Sequence, residues 1–150
     1  MKTLPFVIAG CLLAATAAPG AERHVESLRL PSGQSVVVAE GDLEPRSIGS
    51  YSLRLYSGRN PEFPLDDFLT GVIRPRDGAI VRVLLEDLDG DTRPEIVIVT
   101  ESAGSGGYLS ADAFRHGKRS LSWVGSVSGL GPEANPVAAL KRKYRAAPVR

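Results

Sequence analysis

The chain is poor in the residues that form disulfides and transition-metal sites. Its 150 residues include one cysteine, Cys11, and two histidines, His24 and His116. Neither histidine has another histidine or a cysteine at a ligand spacing, so we expect no zinc-type site. Long apolar runs are also missing. The stretch Leu4–Ala18 is shorter than the about 20 residues of a membrane-spanning helix, so we expect no membrane span.

The N-terminus has the layout of a secretory signal. Lys2 precedes the apolar stretch, and no acidic residue occurs before Glu22. Ala15-Thr16-Ala17 satisfies the small-x-small cleavage rule, and the same rule allows cleavage up to Ala21. We assign 1–21 to a cleaved signal peptide and predict a periplasmic or secreted protein.

A lipoprotein is the alternative for this segment, because Ile8-Ala9-Gly10-Cys11 resembles the motif that is cut and lipidated at its cysteine. The apolar run before Cys11 is short for a signal and continues past it to Ala18. We therefore favour a mature chain that has no cysteine and no disulfide.

Charge is unevenly distributed along the mature chain. From Glu22 to Leu140 there are 12 basic and 17 acidic residues, a balance of −5, whereas the last ten residues carry five basic residues and no acid. An acidic body favours a cationic partner and disfavours nucleic acid. We interpret the segment 141–150 as a solvated basic tail.

The body consists of short segments with strand-like alternation, separated by turn residues. About eight such segments at this spacing indicate an all-β, antiparallel β-sandwich. A short helix is expected from Pro136 through Leu140. We therefore assign 22–140 to a single β domain. The predicted strands are His24–Leu30, Gln34–Glu40, Ser50–Ser57, Phe68–Arg74, Ala79–Glu86, Pro94–Thr100, Tyr108–Arg115 and Ser120–Ser126.

Two turns are predicted in detail. Pro75-Arg76-Asp77-Gly78 has proline early and glycine late, as β-turns do. His116-Gly117 joins the last two strands.

A metal site is considered at Asp87, Asp89 and Asp91, which alternate around Gly90 and are followed by Glu95. Such carboxylates suit calcium, and an exported calcium-binding β module is the alternative function. The EF-hand spacing is not met, however, and Asp and Gly also supply turn geometry. We favour a polar turn, with no metal and no cofactor.

Enzymatic activity has weak support in the sequence. A hydrolase elbow centred on Ser105 needs a glycine two residues earlier, where Ala103 stands, and a helix afterwards, where a strand is predicted. A glycosidase needs two facing carboxylates, and 17 acids supply many pairs without singling one out. We predict that the protein is not an enzyme.

The segment Ser102–Tyr108, SAGSGGY, has an unusual composition for a connection. Three glycines in four positions let the backbone approach a partner closely. Tyr108 is a residue type enriched at binding hot spots. By composition alone, a glycine-rich turn that ends in a core tyrosine fits equally well.

A family resemblance bears on this choice. SAGSGGYLSADAF (Ser102–Phe114), GSYSLRLY (Gly49–Tyr56) and GVIRPRDG (Gly71–Gly78) resemble the periplasmic inhibitors of invertebrate-type (i-type) lysozyme. The likeness extends from about Ser27 to Leu140, and SAGSGGY is its most specific part. The basic end after Leu140 is not part of that pattern.

The resemblance implies a periplasmic inhibitor with i-type lysozyme as its partner. It also implies a β-sandwich whose Ser-Gly-Gly-Tyr loop, Ser105 to Tyr108 with Gly106 and Gly107, enters the lysozyme cleft. Arg115 and Arg119 follow soon after the loop, and we expect them to reach an acidic rim of the partner. A homodimer is compatible with the sequence.

Overall fold

The computed structural model describes residues 22–146. The assigned signal, with Cys11, and residues 147–150 lie outside this part. The described elements are β1 (Val25–Arg29), β2 (Ser35–Glu40), β3 (Ile48–Tyr56), β4 (Phe68–Asp77), β5 (Ala79–Glu86), β6 (Glu95–Glu101), β7 (Leu109–His116), β8 (Leu121–Leu130) and α1 (Pro136–Ala146).

The strands form two four-stranded sheets, β1-β2-β3-β4 and β5-β6-β7-β8. Every neighbouring pair is antiparallel and consecutive along the chain. Alternation in β3 turns Tyr51, Leu53 and Leu55 inward, where they pack against residues of the second sheet such as Ile98 and Phe114. The predicted antiparallel β-sandwich is confirmed.

Strand β6 is buried on both of its faces, which explains its unbroken β-branched run. Ile96 and Ile98 belong to the core between the sheets, whereas Val97 and Val99 face the opposite way. There they pack beneath α1, whose Leu140 is fully buried. The second sheet is therefore the middle layer of the molecule.

The C-terminal helix begins at Pro136, as predicted, but it continues beyond Leu140 to Ala146. Asn135 Oδ1 accepts a hydrogen bond from the backbone N–H of Ala138 (3.1 Å) and so caps the helix. Tyr144 packs on the same apolar cluster as Leu140. Residues 141–146 of the predicted basic tail thus lie in this helix.

The segment Pro75–Gly78 differs from the prediction. Strand β4 continues through Pro75 to Asp77, because β4 is a sheet edge and a proline can be accommodated there. The change of direction is confined to Gly78, whose φ is +82°, and the chain crosses there from one sheet to the other.

Antiparallel strands place alternate connections at the two ends of the sandwich. The β2–β3, β4–β5 and β6–β7 connections share one end, here named the loop end; Gly78 N–H donates to Ser47 O there (2.8 Å). The β1–β2, β3–β4, β5–β6 and β7–β8 connections share the other, named the opposite end, where Gln34 Nε2 donates to Gly117 O (3.2 Å).

Candidate functional site: the β6–β7 loop

The loop between β6 and β7 is short and closed by its own hydrogen bonds. Ser102 N–H donates to Tyr108 O (2.9 Å), and Tyr108 N–H donates to Ser102 Oγ (3.2 Å). Within this frame Gly107 N–H donates to Gly104 O (3.3 Å). Ser105 and Gly106 therefore occupy the centre of a tight turn at the tip of the loop.

The three glycines of the loop differ in why the structure requires a glycine, or does not, at each position. Gly107 has a φ of +52°, which a residue with a side chain adopts only with strain. A Cβ at Gly106 would lie 2.4 Å from Cε2 of Tyr108, so the tyrosine ring packs directly over this glycine. Gly104, in contrast, has no atom of residues 22–146, other than those of its chain neighbours, within 4 Å of where its Cβ would be.

The two side chains that the sequence singled out are both accessible. Ser105 is exposed, and its hydroxyl has no hydrogen-bond partner within residues 22–146. Tyr108 is 55 % exposed and does not belong to either core cluster. The loop thus presents a hydroxyl and an aromatic ring on one small projection.

The backbone of the loop rests on the β4–β5 crossover. A Cβ at Gly78 would lie 1.8 Å from the carbonyl oxygen of Glu101 and 2.7 Å from Cα of Ser102. Only a glycine permits this contact between two backbone segments. The first residue of the loop is therefore fixed by direct packing.

A buried ion pair supports the same end of the sandwich. Arg76 and Glu40 have fully buried side chains, with Nη1 of the arginine 3.8 Å from Oε1 of the glutamate. Glu40 Oε1 also accepts a hydrogen bond from Ile80 N–H (2.7 Å). The guanidinium of Arg76 donates to four backbone carbonyls, those of Pro45, Arg46, Ser50 and Gly78.

Arg115 and Arg119 lie at the opposite end of the molecule. Arg115 lies six positions beyond Leu109 in β7, which is about 20 Å at about 3.3 Å per residue. Arg115 donates to Asp89 Oδ2 (2.5 Å) and Glu95 Oε1 (3.0 Å). The hydrogen bond with Glu95 raises the pKa of Arg115. The structure does not bring these arginines together with the Ser105–Tyr108 loop.

The acidic cluster considered for calcium is assembled in part. Carboxylate oxygens of Asp87, Asp89 and Glu95 lie within 4.8 Å of one another, but Asp91 forms an ion pair with Arg93 (2.9 Å). Asp87 accepts hydrogen bonds from the backbone N–H groups of Gly90 (2.7 Å) and Thr92 (3.0 Å). Arg115 donates to Asp89 and Glu95 and so already supplies positive charge to the cluster. Asp87 stabilises the turn through its two backbone hydrogen bonds.

Comparison with known proteins assigns the chain to a family. Residues 22–144 match the family model described as periplasmic lysozyme inhibitor of I-type lysozyme. The chain belongs to this family.

Two solved structures of the family from Aeromonas hydrophila are similar to the chain. One is the inhibitor alone, at 52 % identity and a TM-score of 0.75, and it covers 78 % of this chain and 98 % of the other. The second is the inhibitor in complex with Meretrix lusoria lysozyme, at 53 % identity and a TM-score of 0.74, with coverage of 79 % and 95 %. The comparison with curated proteins gave no match.

Membership of this inhibitor family bears out two expectations. The relatives are lysozyme inhibitors and not enzymes, so the chain is an inhibitor rather than a hydrolase. The family is periplasmic, which agrees with the predicted export. Between residues 22 and 146, no helix has both the length and the apolar character needed to cross a membrane.

One polar cluster of the structure is not among the features predicted from the sequence. Tyr51 Oη donates to Asp112 Oδ2 (2.7 Å), and Trp123 Nε1 donates to Asp112 Oδ1 (2.8 Å). Arg74 stacks 4.7 Å from the centre of the Trp123 ring. Burial, followed by the nearby Asp112 charge, raises the pKa of Tyr51. The sequence signal that could have identified this cluster is the position of Asp112 in β7, where it shares the inward face with Phe114.

Proposed function

We propose that the protein inhibits I-type lysozyme in the periplasm by inserting the Ser105–Tyr108 turn into the active-site cleft. The observation that carries this proposal is the joint exposure of Ser105 and Tyr108 on a hydrogen-bonded projection of seven residues. Such a projection is narrow enough to enter a groove and pre-organised enough to lose little entropy on binding.

The serine hydroxyl matches the chemistry of a lysozyme cleft. That cleft presents a protonated glutamic acid and an ionised aspartate a few ångströms apart. One hydroxyl can accept a hydrogen bond from the acid and donate one to the carboxylate, because it has one donor and two acceptor positions. Hydrogen bonds to charged groups contribute about 1.5–3 kcal/mol each.

Tyr108 supplies the contact area that a hydroxyl lacks. Its ring stands beside the turn, where it can fill a sugar subsite while Gly106 and Gly107 let the backbone approach the cleft. The turn contains peptide bonds and no glycosidic bond, so a glycosidase has nothing in it to cleave. The complex is therefore reversible, with the inhibitor not consumed.

Arg115 and Arg119 were expected to contact an acidic rim of the lysozyme. Their distance from the loop, about one strand length, means that a partner holding the loop must extend along the sandwich to reach them. Their contribution to inhibition stays a prediction.

The test is inhibition of an I-type lysozyme by Ser105→Ala, Tyr108→Ala and the double variant. We expect each single change to weaken inhibition by about tenfold or more, since about 1.4 kcal/mol corresponds to tenfold. The double variant should lose inhibition while its unfolding transition stays unchanged, because neither side chain contributes to a core cluster.

A matched control removes a serine hydroxyl and an aromatic ring elsewhere. Ser122 and Phe63 are exposed, and Phe63 at 58 % is as accessible as Tyr108. The variant Ser122→Ala with Phe63→Ala should inhibit like the wild-type chain. Full inhibition by a folded Ser105→Ala/Tyr108→Ala variant would rule out this site.

A further inference from the structure

The opposite end of the sandwich contains a cleft that lies apart from the Ser105–Tyr108 loop. It has a volume of about 620 Å³ and lies among the β1–β2, β3–β4, β5–β6 and β7–β8 connections. Binding sites for small molecules commonly have volumes of about 300–1,000 Å³. The cleft is therefore large enough for a ligand of several non-hydrogen atoms.

The lining of the cleft carries charge of one sign. Of its ten residues, Arg59, Arg93, Lys118 and Arg119 are cationic and none is acidic. This contrasts with the segment 22–140 as a whole, in which 12 basic residues stand against 17 acidic ones. A local excess of cations in an acidic body creates a positive potential confined to this concave site.

Two of the four cations lack a counter-charge. Arg93 pairs with Asp91 (2.9 Å) and Arg59 lies 3.6 Å from Asp67, both on exposed surface where such pairs contribute little. Lys118 and Arg119 form no ion pair in the part of the chain that the structure describes. Their charge is available to a ligand.

The turn that bears these two residues is held in place. Gln34 is 9 % exposed, and its Nε2 donates to the carbonyls of Gly117 (3.2 Å) and Lys118 (3.0 Å). Ser32 Oγ donates to Gln34 Oε1 (2.9 Å) and so orients the amide. The β1–β2 turn thus fixes the backbone of the β7–β8 turn before any ligand arrives.

We propose that this cleft binds a phosphate-bearing anion with at least two negative charges, with pyrophosphate as a compact model. Arginine forks match phosphate oxygens in bidentate geometry, and the lysine adds a point charge. Ser32, Ser57 and His116 line the same cleft and supply neutral hydrogen-bonding groups beside the cations. A single carboxylate would leave much of this charge unmatched.

The probe is inorganic pyrophosphate, titrated into the purified protein by calorimetry and followed by NMR of the two histidine rings. His116 lines the cleft, whereas His24 lies before β1 at the loop end and serves as an internal reference. We expect saturable binding that shifts the His116 signals and leaves those of His24 in place. No saturable binding, or equal shifts of both rings, would overturn the proposal.

Charge-matched variants distinguish a defined binding site from nonspecific electrostatic attraction of the anion to the protein. Lys118→Ala/Arg119→Ala should weaken pyrophosphate binding by about tenfold or more, because it removes the two unpaired cations. Arg142→Ala/Arg145→Ala, on exposed positions of α1, removes the same net charge and should leave binding unchanged. Equal weakening by both pairs would contradict a defined site.

Vesicles containing cardiolipin, whose headgroup bears two phosphates, distinguish the two sources of the phosphate. Vesicle binding that pyrophosphate displaces would support the cleft and assign a lipid headgroup. Pyrophosphate binding without vesicle binding would support the cleft and assign a soluble phosphate compound. Binding of neither probe would refute the proposal.

Discussion

The ring of Tyr108 packs over Gly106 so closely that a Cβ there would come within 2.4 Å of Cε2. Gly106→Ala should therefore displace the tyrosine ring without disturbing the core, because Tyr108 is exposed and can rotate away. We expect lysozyme inhibition to weaken by about tenfold, the loss of about 1.4 kcal/mol of binding free energy. Inhibition constants of the wild-type and variant chains provide the measurement.

Gly104→Ala is the matched control for that change. The same methyl group is added two residues away, in the same turn, where no described atom beyond the adjacent residues lies within 4 Å. It should leave inhibition close to the wild-type value. Equal effects of the two alanines would mean that the position of the Tyr108 ring does not matter.

Arg115 is expected to contribute to stability through Glu95. The glutamate side chain is 1 % exposed and accepts hydrogen bonds from Arg115 and from Leu88 N–H (3.1 Å). Arg115→Ala removes the charged donor and should lower the free energy of unfolding by about 1–3 kcal/mol. Urea denaturation measures this, with Arg119→Ala, at an exposed position of the same end, expected to change it by less than about 0.5 kcal/mol.

The hydrogen bond from Tyr51 to Asp112 joins the two sheets at 2.7 Å. Asp112→Ala leaves the buried phenol without an acceptor and should destabilise the protein by about 1–3 kcal/mol. Tyr51→Phe removes the donor as well and should cost less, about 1 kcal/mol. Asp77→Ala removes an exposed acid on β4 and is the comparison. If all three variants have the same free energy of unfolding, the hydrogen bond does not stabilise the fold.

Calcium should leave the melting temperature unchanged. Arg115 donates to both Asp89 and Glu95, so an added cation would have to displace the guanidinium. A site filled at a hundredfold excess over its Kd would add about 2.7 kcal/mol of stability. Thermal melts with calcium and with chelator should give the same melting temperature. A higher melting temperature in calcium would support the metal-binding alternative.

Much of the fold follows from local patterns in the sequence. Alternation placed Tyr51, Leu53 and Leu55 on one face of β3, and Pro136 marked the start of α1. The continuation of β4 through Pro75 could not be read locally, since it depends on β4 being a sheet edge. The length of α1 depends on the apolar cluster that receives Leu140 and Tyr144.

Part of the candidate site could likewise be predicted from the sequence, and part could not. Glycines and an aromatic residue mark the loop in the sequence, because its geometry is local. Proximity in sequence does not mean proximity in space for Arg115, which follows Tyr108 by seven residues but lies a strand length away. Long-range pairs such as Arg76 with Glu40 carry no sequence signature, because only the fold brings them together.

The most direct test of loop insertion is an amide NMR footprint. The ¹⁵N-labelled inhibitor is mixed with unlabelled I-type lysozyme, and signals at both ends of the sandwich are compared. Insertion predicts the largest changes at Gly104–Tyr108, with small changes in the turn 117–120. A footprint centred on the β7–β8 turn, with the Gly104–Tyr108 signals unmoved, would contradict it.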